Sequence, residues 1–196
     1  MKIYEYVSLV VLLFSLPLTM FGRDINDDGY WIDKYLSVSF PLRSIRVNSD
    51  FGIRRDPING SCKLHRGLDL AAHYEEVLAM FDGVVKKVGS DGTSGRYVIL
   101  QHGDYTISYC HLSKIFVAPK QLVFSGETVG ISGSTGRSTG PHLHITVRLR
   151  GQIQDPYNLL LYVRDIRKAC IVALHIDDSK ILTPTDFIKQ YAPMAM

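Results

Sequence analysis

The stretch "GRSTGPHLHITVRL", residues 136–149, carries the strongest local signal for the fold. Glycines and a proline interrupt the chain at its start, and β-branched residues follow the second histidine. This pattern predicts a turn that leads into a β-strand. Side chains two positions apart on a strand point the same way, so we expect His142 and His144 on one face, with Cα atoms about 6.5–7 Å apart.

Short β-like runs also fill the rest of residues 36–155. Leu36, Val38 and Phe40 alternate with serines, which predicts a half-buried strand. The further runs are "HRGLDLAA", "EVLAMFDGVVKKVG", "GRYVILQHG", "DYTISYCHLS", "ETVGISG" and "HLHITVRLRG", with glycine-containing turns between them. No 3.6-residue period is sustained across this region, so we predict an all-β, mainly antiparallel domain.

The C-terminal part of the chain differs in character from this region. Residues 157–174 are apolar enough for a helix or a strand, and the sequence leaves the two open. "TPTDFIKQYA", residues 183–192, predicts a short helix with Thr183 as its N-cap and a proline at its first position. We expect this tail to pack on the domain or to contact a partner.

The N-terminal residues 1–22 predict an export signal. One lysine precedes an apolar run from Val7 to Phe21, which is shorter than the roughly 20 residues of a membrane span and fits the apolar core of a secretory signal. Met20 occupies a position where signal cleavage favours a small residue, so an uncleaved anchor stays open. We expect a periplasmic, cell-envelope or secreted protein, with membrane attachment only through this segment.

Charge and cysteine content limit the classes of partner and of site. The net charge is +3 over 196 residues, without the lysine- and arginine-rich block typical of nucleic-acid binding, so we expect no nucleic-acid partner. The three cysteines are Cys62, Cys110 and Cys170, an odd number that leaves their disulfide state open. A structural zinc site built from Cys62–His65 and Cys110–His111 is disfavoured, because such ligand pairs usually come in matched knuckles.

A first candidate for chemistry lies in "CKLHRGLDLAA", residues 62–72. If this run is one extended strand, its three leucines face the core, and His65 and Asp69 emerge together on the other face. Gly67 between them leaves room for a bound group. A histidine and an aspartate on one open face suit a metal site.

A second candidate is His111 in "SYCHLS", residues 108–113. It ends a predicted strand and shares the parity of Tyr105, Ile107 and Tyr109, whereas Cys110 has the opposite parity and is expected to face the core. Four histidines and one aspartate thus lie on three strand-like segments, each beside a turn. A catalytic zinc site needs three protein ligands, which would leave two groups for acid–base work.

The motif order H-x-x-x-D, Y-x-H-L and G-S-T-G-x-S-T-G-P-H-L-H resembles the LytM/lysostaphin-type zinc metallopeptidases, peptidase family M23, over residues 49–156. The resemblance implies the Zn²⁺ ligands His65, Asp69 and His144. It also implies two catalytic histidines, His111 and His142, whose individual roles stay open. All five positions are filled, which argues against the degenerate, metal-free members of the family.

The resemblance further implies the fold and the activity. The fold would be a two-sheet sandwich or hybrid barrel of the lysostaphin kind, with a minor helix at the C-terminus. The activity would be hydrolysis of peptide bonds in the stems or cross-links of bacterial peptidoglycan by a metal-activated water. The predicted organisation is a signal or anchor at 1–22, an N-terminal segment at 23–48, the peptidase domain at 49–156 and a C-terminal extension at 157–196.

Two alternative functions compete with a zinc peptidase. "GRSTG", residues 136–140, matches the G-x-S-x-G nucleophile elbow of serine hydrolases, but an elbow leads into a helix and here a strand is predicted. A non-catalytic or autoinhibited wall-binding or regulatory module on the same fold stays open, with residues 23–48 or the tail blocking the groove.

Overall fold

The computed structural model describes residues 28–56 and 60–175. The predicted signal or anchor at 1–22 and the predicted helix at 183–192 lie outside the described residues. Neither helix within the described ranges combines the length and the apolar character that crossing a bilayer requires.

The described residues form two helices and thirteen strands. The helices are α1 (Asp28–Leu36) and α2 (Tyr157–Ala173). The apolar segment 157–174, which the sequence could not assign to a helix or a strand, therefore forms a helix. The strands are β1 (Val47–Ser49), β2 (Gly52–Arg55), β3 (Cys62–His65), β4 (Leu68–Ala71), β5 (Glu76–Leu78), β6 (Gly83–Asp91), β7 (Gly95–His102), β8 (Tyr105–Leu112), β9 (Lys114–Ile115), β10 (Leu122–Val123), β11 (Thr128–Ile131), β12 (His142–Leu149) and β13 (Gln152–Gln154).

These strands pair antiparallel in three sheets. The large sheet has the order β1-β4-β12-β8-β7-β6-β10, and β13 also pairs with β12. A small sheet has the order β5-β11-β9, and β2 and β3 form a separate hairpin. The prediction of a mainly antiparallel all-β fold with a minor C-terminal helix is confirmed.

Strand β12 lies inside the large sheet and shows the predicted alternation. Its buried residues on the core side are Leu143, Ile145 and Val147. Successive side chains on a strand point to opposite faces, so His142, His144 and Thr146 share the other face, as the sequence predicted for the histidine pair. The sheet therefore separates a hydrophobic core from a polar face.

The hydrophobic core lies between the large sheet, the small sheet and α2. Val77 and Val129 of the small sheet are fully buried with Leu70 of β4. Each such side chain contributes on the order of 1.5–3 kcal/mol when it is removed from water. The Tyr109 hydroxyl accepts a hydrogen bond from the Met80 backbone N–H at 3.0 Å, which satisfies a buried polar pair.

The two helices pack on each other at the edge of this core. Three residues of α2, Leu159, Leu160 and Val163, are buried in the main core. Ile32 and Tyr35 of α1 cluster with Cys170 of α2. The Arg167 guanidinium carbon lies 4.3 Å from the centre of the Tyr35 ring, a cation–π contact. The segment after residue 156 thus packs on the domain.

The predicted strand at Leu36–Phe40 is wrong. Leu36 ends α1, and Val38 forms only an isolated bridge with Phe81. Local alternation favoured a strand here, but the packing of α1 against α2 extends the helix into this run.

The single strand expected over residues 62–72 is also wrong. The chain breaks at Arg66 and Gly67 into β3 and β4. Because β3 pairs only with β2, Leu64 is 43% exposed, whereas Leu70 on β4 is fully buried. The break places His65 and Asp69 on different strands.

His102 ends β7 as a buried ionisable group. Its Nδ1 donates to the Asp82 carbonyl at 2.7 Å, and its Nε2 has no hydrogen-bond partner among the described residues. A Cβ on Gly83 would lie only 2.4 Å from the His102 Nδ1, so the imidazole fills the space that this glycine leaves. Burial lowers the pKa of His102 to about 4, an effect that the bond to Asp82 only partly opposes.

We expect His102 to make the fold sensitive to mild acid. The unfolded chain takes up a proton near pH 6.5 while folded His102 stays neutral to about pH 4, so stability is lost as the pH falls between these values. The full effect is about 3 kcal/mol. Urea unfolding from pH 7.5 to 4 should show this loss in the wild type and a shallower decline in His102→Leu.

His73→Gln, which changes an exposed histidine, is the matched control and should keep the wild-type pH dependence. Equal pH slopes for the wild type and His102→Leu would contradict the prediction.

Candidate metal centre

Three side chains from three strands converge on the polar face of the large sheet. They are His65 at the end of β3, Asp69 on β4 and His144 on β12. The His144 Nδ1 lies 2.7 Å from the Asp69 Oδ1, and the His65 Nε2 lies 3.2 Å and 3.3 Å from these two atoms. His144 and Asp69 are direct partners in the β12–β4 register, so sheet pairing itself brings them together.

Hydrogen bonds outside the triangle orient each of these groups. The His65 Nδ1 donates to the Asp50 carbonyl at 2.7 Å, and the His144 Nε2 lies 3.2 Å from the Thr146 hydroxyl oxygen. When the outward nitrogen of each neutral imidazole carries the one ring proton, the inward nitrogen carries a lone pair and can bind a metal. Arg54 donates to the Asp69 Oδ2 at 3.2 Å and leaves Oδ1 for the triangle.

This donor set fits a zinc ion. Two imidazole nitrogens and a carboxylate oxygen, all rich in electrons, face one another and require a shared proton or a cation. Ligands of a tetrahedral Zn²⁺ at 2.0–2.1 Å would lie about 3.3–3.4 Å apart, close to two edges of the observed triangle. The outward bonds to a backbone carbonyl and a hydroxyl are of the kind that orients metal-bound histidines.

The charge of Asp69 is maintained by its neighbours. Burial alone would raise the pKa of this carboxyl. Hydrogen bonds and attraction from His144 and His65 outweigh the burial and hold the pKa of Asp69 well below its usual range. The residue is therefore an ionised carboxylate at neutral pH, the form that binds a metal.

His142 and His111 lie beside the triangle and are held by the loop of residues 133–140. The His142 Nδ1 donates to the Gly140 carbonyl at 2.8 Å, and the His111 Nδ1 donates to the Thr135 carbonyl at 2.7 Å. Their ring centres are 4.7 Å apart. Both rings keep Nε2 as the nitrogen without a backbone partner, and that of His142 lies 3.6 Å from the Asp69 Oδ1.

His111 reaches this face through a local irregularity that strand parity did not predict. Parity placed it with Ile107 and Tyr109, which point into the core. The backbone of His111 has φ 61°, and the β7–β8 register shifts there. A bulge with a left-handed residue re-aims one side chain and breaks the alternation, so His111 packs against the rings of His142 and His144 instead.

The same surroundings keep His111 neutral. Its burial lowers the pKa of the imidazole below its ordinary value, and the hydrogen bond to Thr135 opposes this only in part. A neutral imidazole whose Nδ1 is already donating can accept a proton at Nε2. This is the form that a general base requires.

The loop of residues 133–140 is a firmly packed wall of the groove. The Thr135 hydroxyl donates to the Leu112 carbonyl at 2.8 Å and accepts from the Arg96 backbone N–H at 3.0 Å. Gly136 has φ 71°, and a Cβ there would lie 2.2 Å from the Gly95 nitrogen. These contacts fix the Thr135 carbonyl that holds His111, and the Ser138 hydroxyl donates at 2.7 Å to the Gly140 carbonyl that holds His142.

No sequence pattern indicated three contributors to this arrangement, Thr135, Gly140 and Arg54. Thr135 and Gly140 act through backbone carbonyls, which leave no trace in residue type. Arg54 lies on β2 and contacts Asp69 on β4. Only a prediction of the β2–β3 hairpin would have indicated that these two side chains meet.

The remaining sequence candidates are not part of the triangle. Cys62 is exposed and Cys110 is buried, and all three cysteines are free thiols. The expectation that Cys110 faces the core is wrong, because it is the register partner of His144 and lines the groove. Burial raises the pKa of the Cys110 thiol to about 12, which keeps it protonated. Ser138 of the "GRSTG" motif lies in a loop that leads into β12, so it lacks the helix of a nucleophile elbow.

Gly67 supports His144 directly, and we expect Gly67→Ala to disturb it. An added Cβ would lie 2.4 Å from the Ile145 carbonyl oxygen and 2.5 Å from the His144 Cε1. We expect a loss of about 1–3 kcal/mol in the free energy of unfolding. Displaced ring signals of His144 in NMR spectra should accompany this loss.

Gly92→Ala is the matched control, because a Cβ there meets no atom within 4 Å. Indistinguishable stability and His144 signals in the two variants would contradict the role given to Gly67.

Comparison with known proteins identifies relatives of this domain. Residues 63–156 match the model of peptidase family M23. The chain is 42% identical over 138 residues to the peptidoglycan DD-endopeptidase ShyA of Vibrio cholerae, which covers 65% of this chain and 32% of the relative. The chain spans about a third of the length of the curated relatives that it matches.

Solved structures share the fold. A zinc-containing peptidase from Vibrio cholerae is 34% identical with a TM-score of 0.56, over 61% of this chain and 39% of that one. The catalytic domain of lysostaphin from Staphylococcus simulans is 26% identical with a TM-score of 0.54, over 69% of this chain and 97% of that one. The predicted lysostaphin-type fold is thus confirmed, and residues 63–156 form a domain of peptidase family M23.

Proposed function

We propose that this protein is a zinc-dependent endopeptidase that hydrolyses peptide bonds in the stems or cross-links of bacterial peptidoglycan. The observation that carries the proposal is the convergence of two imidazole nitrogens and one carboxylate oxygen within 3.3 Å of one another. The relative named as a peptidoglycan DD-endopeptidase supports the substrate, and the zinc-containing peptidase supports the metal. Peptidoglycan lies outside the cytoplasm, so we also propose a cell-envelope location.

In this proposal His65, Asp69 and His144 hold the metal. Bound zinc supplies Lewis-acid polarisation of the scissile carbonyl and lowers the pKa of a water. Asp69 contributes one negative charge through Oδ1, while Arg54 binds its second oxygen and keeps the carboxylate in one orientation.

His111 and His142 act as the acid–base pair beside the metal ligands. Each donates from Nδ1 to a fixed carbonyl, so each presents Nε2 to the groove as a proton acceptor. One imidazole takes the proton from the attacking water, and an imidazolium then donates a proton to the leaving amine. The two ring centres are 4.7 Å apart, so either imidazole can reach a substrate bound at the metal ligands.

The direct test is digestion of purified peptidoglycan by the full chain, with products identified by mass spectrometry. We expect peptide-bond products, inhibition by 1,10-phenanthroline, recovery on addition of zinc, and no effect of phenylmethylsulfonyl fluoride. Protein that holds zinc stoichiometrically and cleaves no peptidoglycan would overturn the enzyme assignment and favour the non-catalytic module.

We expect His144→Ala and His142→Ala to separate metal binding from catalysis. His144→Ala removes a proposed ligand, so zinc content measured by plasma mass spectrometry should fall to near zero. His142→Ala removes only the proposed acid–base group, so it should keep one zinc and lose about 10²–10⁴-fold in hydrolysis.

His73→Ala is the matched control for both variants and should keep wild-type zinc content and activity. Wild-type hydrolysis by His142→Ala would contradict the role proposed for this histidine.

We expect Arg54→Gln to weaken zinc binding without removing a ligand. Loss of the cation frees the Asp69 Oδ2 and allows the carboxylate to rotate, and such changes around a metal site cost about 10–100-fold in affinity. Competition with a chromophoric chelator measures the affinity, and Arg54→Lys should recover part of it.

Arg55→Gln changes the neighbouring exposed arginine on the same strand and is the matched control. Equal zinc affinity in Arg54→Gln and Arg55→Gln would show that Arg54 does not position Asp69.

A further inference from the structure

The groove over the candidate metal centre is rich in positive charge. Its walls come from the β2–β3 hairpin, the turn at residues 93–94, and the segment of residues 137–142. Four cationic side chains line it, Arg54, Lys63, Arg66 and Arg137. Two carboxylates, Asp56 and Asp69, lie among them, so the cations are in excess by two before any metal is counted.

Three of the four cations have carboxylate partners. Arg137 donates two hydrogen bonds to Asp56, at 2.7 and 2.9 Å, and Lys63 also pairs with this carboxylate. Asp56 is only 3% exposed, so this group is a buried ion cluster that ties the loop to the hairpin. Arg54 is held by Asp69. These three cations are therefore held in ion pairs within the walls of the groove.

Arg66 differs from the other three because it has no hydrogen bond or ion pair with any described residue. Its side chain is exposed at the groove, directly after His65. The backbone beside it is fixed, since Gly67 packs against the His144 ring and the Ile145 carbonyl. An arginine without a side-chain partner among the described residues thus extends from a fixed backbone position directly after the candidate ligand His65.

We propose that Arg66 binds a free carboxylate of the substrate peptide within one residue of the scissile amide. This inference rests on the proposed function and deepens it, because it selects an acidic peptide over an uncharged bridge such as oligoglycine. A guanidinium pairs with a carboxylate through two parallel hydrogen bonds, which orients the substrate as well as attracting it. The excess of cations along the walls also favours a negatively charged ligand.

Among the described residues that line the groove, Arg66 is the one arginine, lysine or acidic residue outside the pairs already described. Thr93, Ser94 and Thr139 line the groove with neutral groups. A substrate carboxylate bound at Arg66 should therefore fix the direction in which an extended peptide crosses the metal ligands.

The test uses two synthetic peptides that contain a D-alanyl-D-alanine bond and differ only in ending with a carboxylate or a carboxamide. A charged hydrogen bond of this kind corresponds to a preference of about 10–100-fold in kcat/KM for the carboxylate form. Arg66→Gln should lose this preference through KM, with kcat and zinc content unchanged, and Arg66→Lys should keep part of it.

Arg55→Gln removes the same charge from an exposed position on the hairpin that does not line the groove, and it should keep the wild-type preference. Calorimetric binding of both peptides to zinc-loaded His142→Ala measures the preference without turnover.

Equal use of the two peptides by the wild type, with both hydrolysed, would overturn the carboxylate site and leave the proposed function standing. If the zinc-loaded protein hydrolyses neither the peptides nor peptidoglycan, the proposed function fails. In that event the calorimetric comparison still decides the site, because equal affinities would overturn it.

Discussion

The antiparallel pairing of β12 with β4 is the constraint on which the rest of the site depends. Its register sets His144 opposite Asp69, and the side chains of these two residues meet at 2.7 Å. The side-chain period of a strand is two, so a slip of one residue would turn both histidines of β12 into the core and expose Leu143 and Ile145. The hydrophobic core therefore enforces the geometry of the polar face.

The third proposed ligand is held in a different way. His65 lies on the β2–β3 hairpin, outside the large sheet, and its position depends on the chain break at Gly67 and on the Asp50 carbonyl. No side chain larger than hydrogen fits at residue 67 without displacing the His144 ring. The close contact of Gly67 with the His144 ring therefore lies at the break between β3 and β4, where the sequence had predicted one continuous strand.

Much of the fold could be predicted from the sequence because it depends on short-range patterns, whereas the proposed ligand set was implied by the resemblance to a family. Alternation in β12 placed His142 and His144 on one face, and the glycine-containing turns separated the strands. The failures arise where distant parts of the chain override local preference. The helix α1 replaced the expected strand at Leu36, and the bulge at His111 reversed the face that parity assigned.

Arg54 and Arg66 show the same limit at the level of function. Both lie in or beside the β2–β3 hairpin, whose pairing joins residues about ten positions apart and has no strong alternation of its own. Without that hairpin the sequence does not indicate that one arginine contacts Asp69 and that the other lines the groove without a side-chain partner among the described residues. The motif order indicated the five candidate residues through the family resemblance, whereas the charges that surround them required the tertiary structure.

The side chains of the proposed ligands and of the proposed acid–base pair are oriented by different contacts. Strand pairing sets His144 opposite Asp69, whereas carbonyls of the loop at residues 133–140 orient the rings of His111 and His142. Strand β12 itself holds His142 and His144 two residues apart on one face. The third proposed ligand, His65, lies outside this sheet, and the buried cluster around Asp56 ties the hairpin that carries it to the loop. The cluster therefore couples the loop that orients the acid–base histidines to the ligand that sheet pairing does not fix.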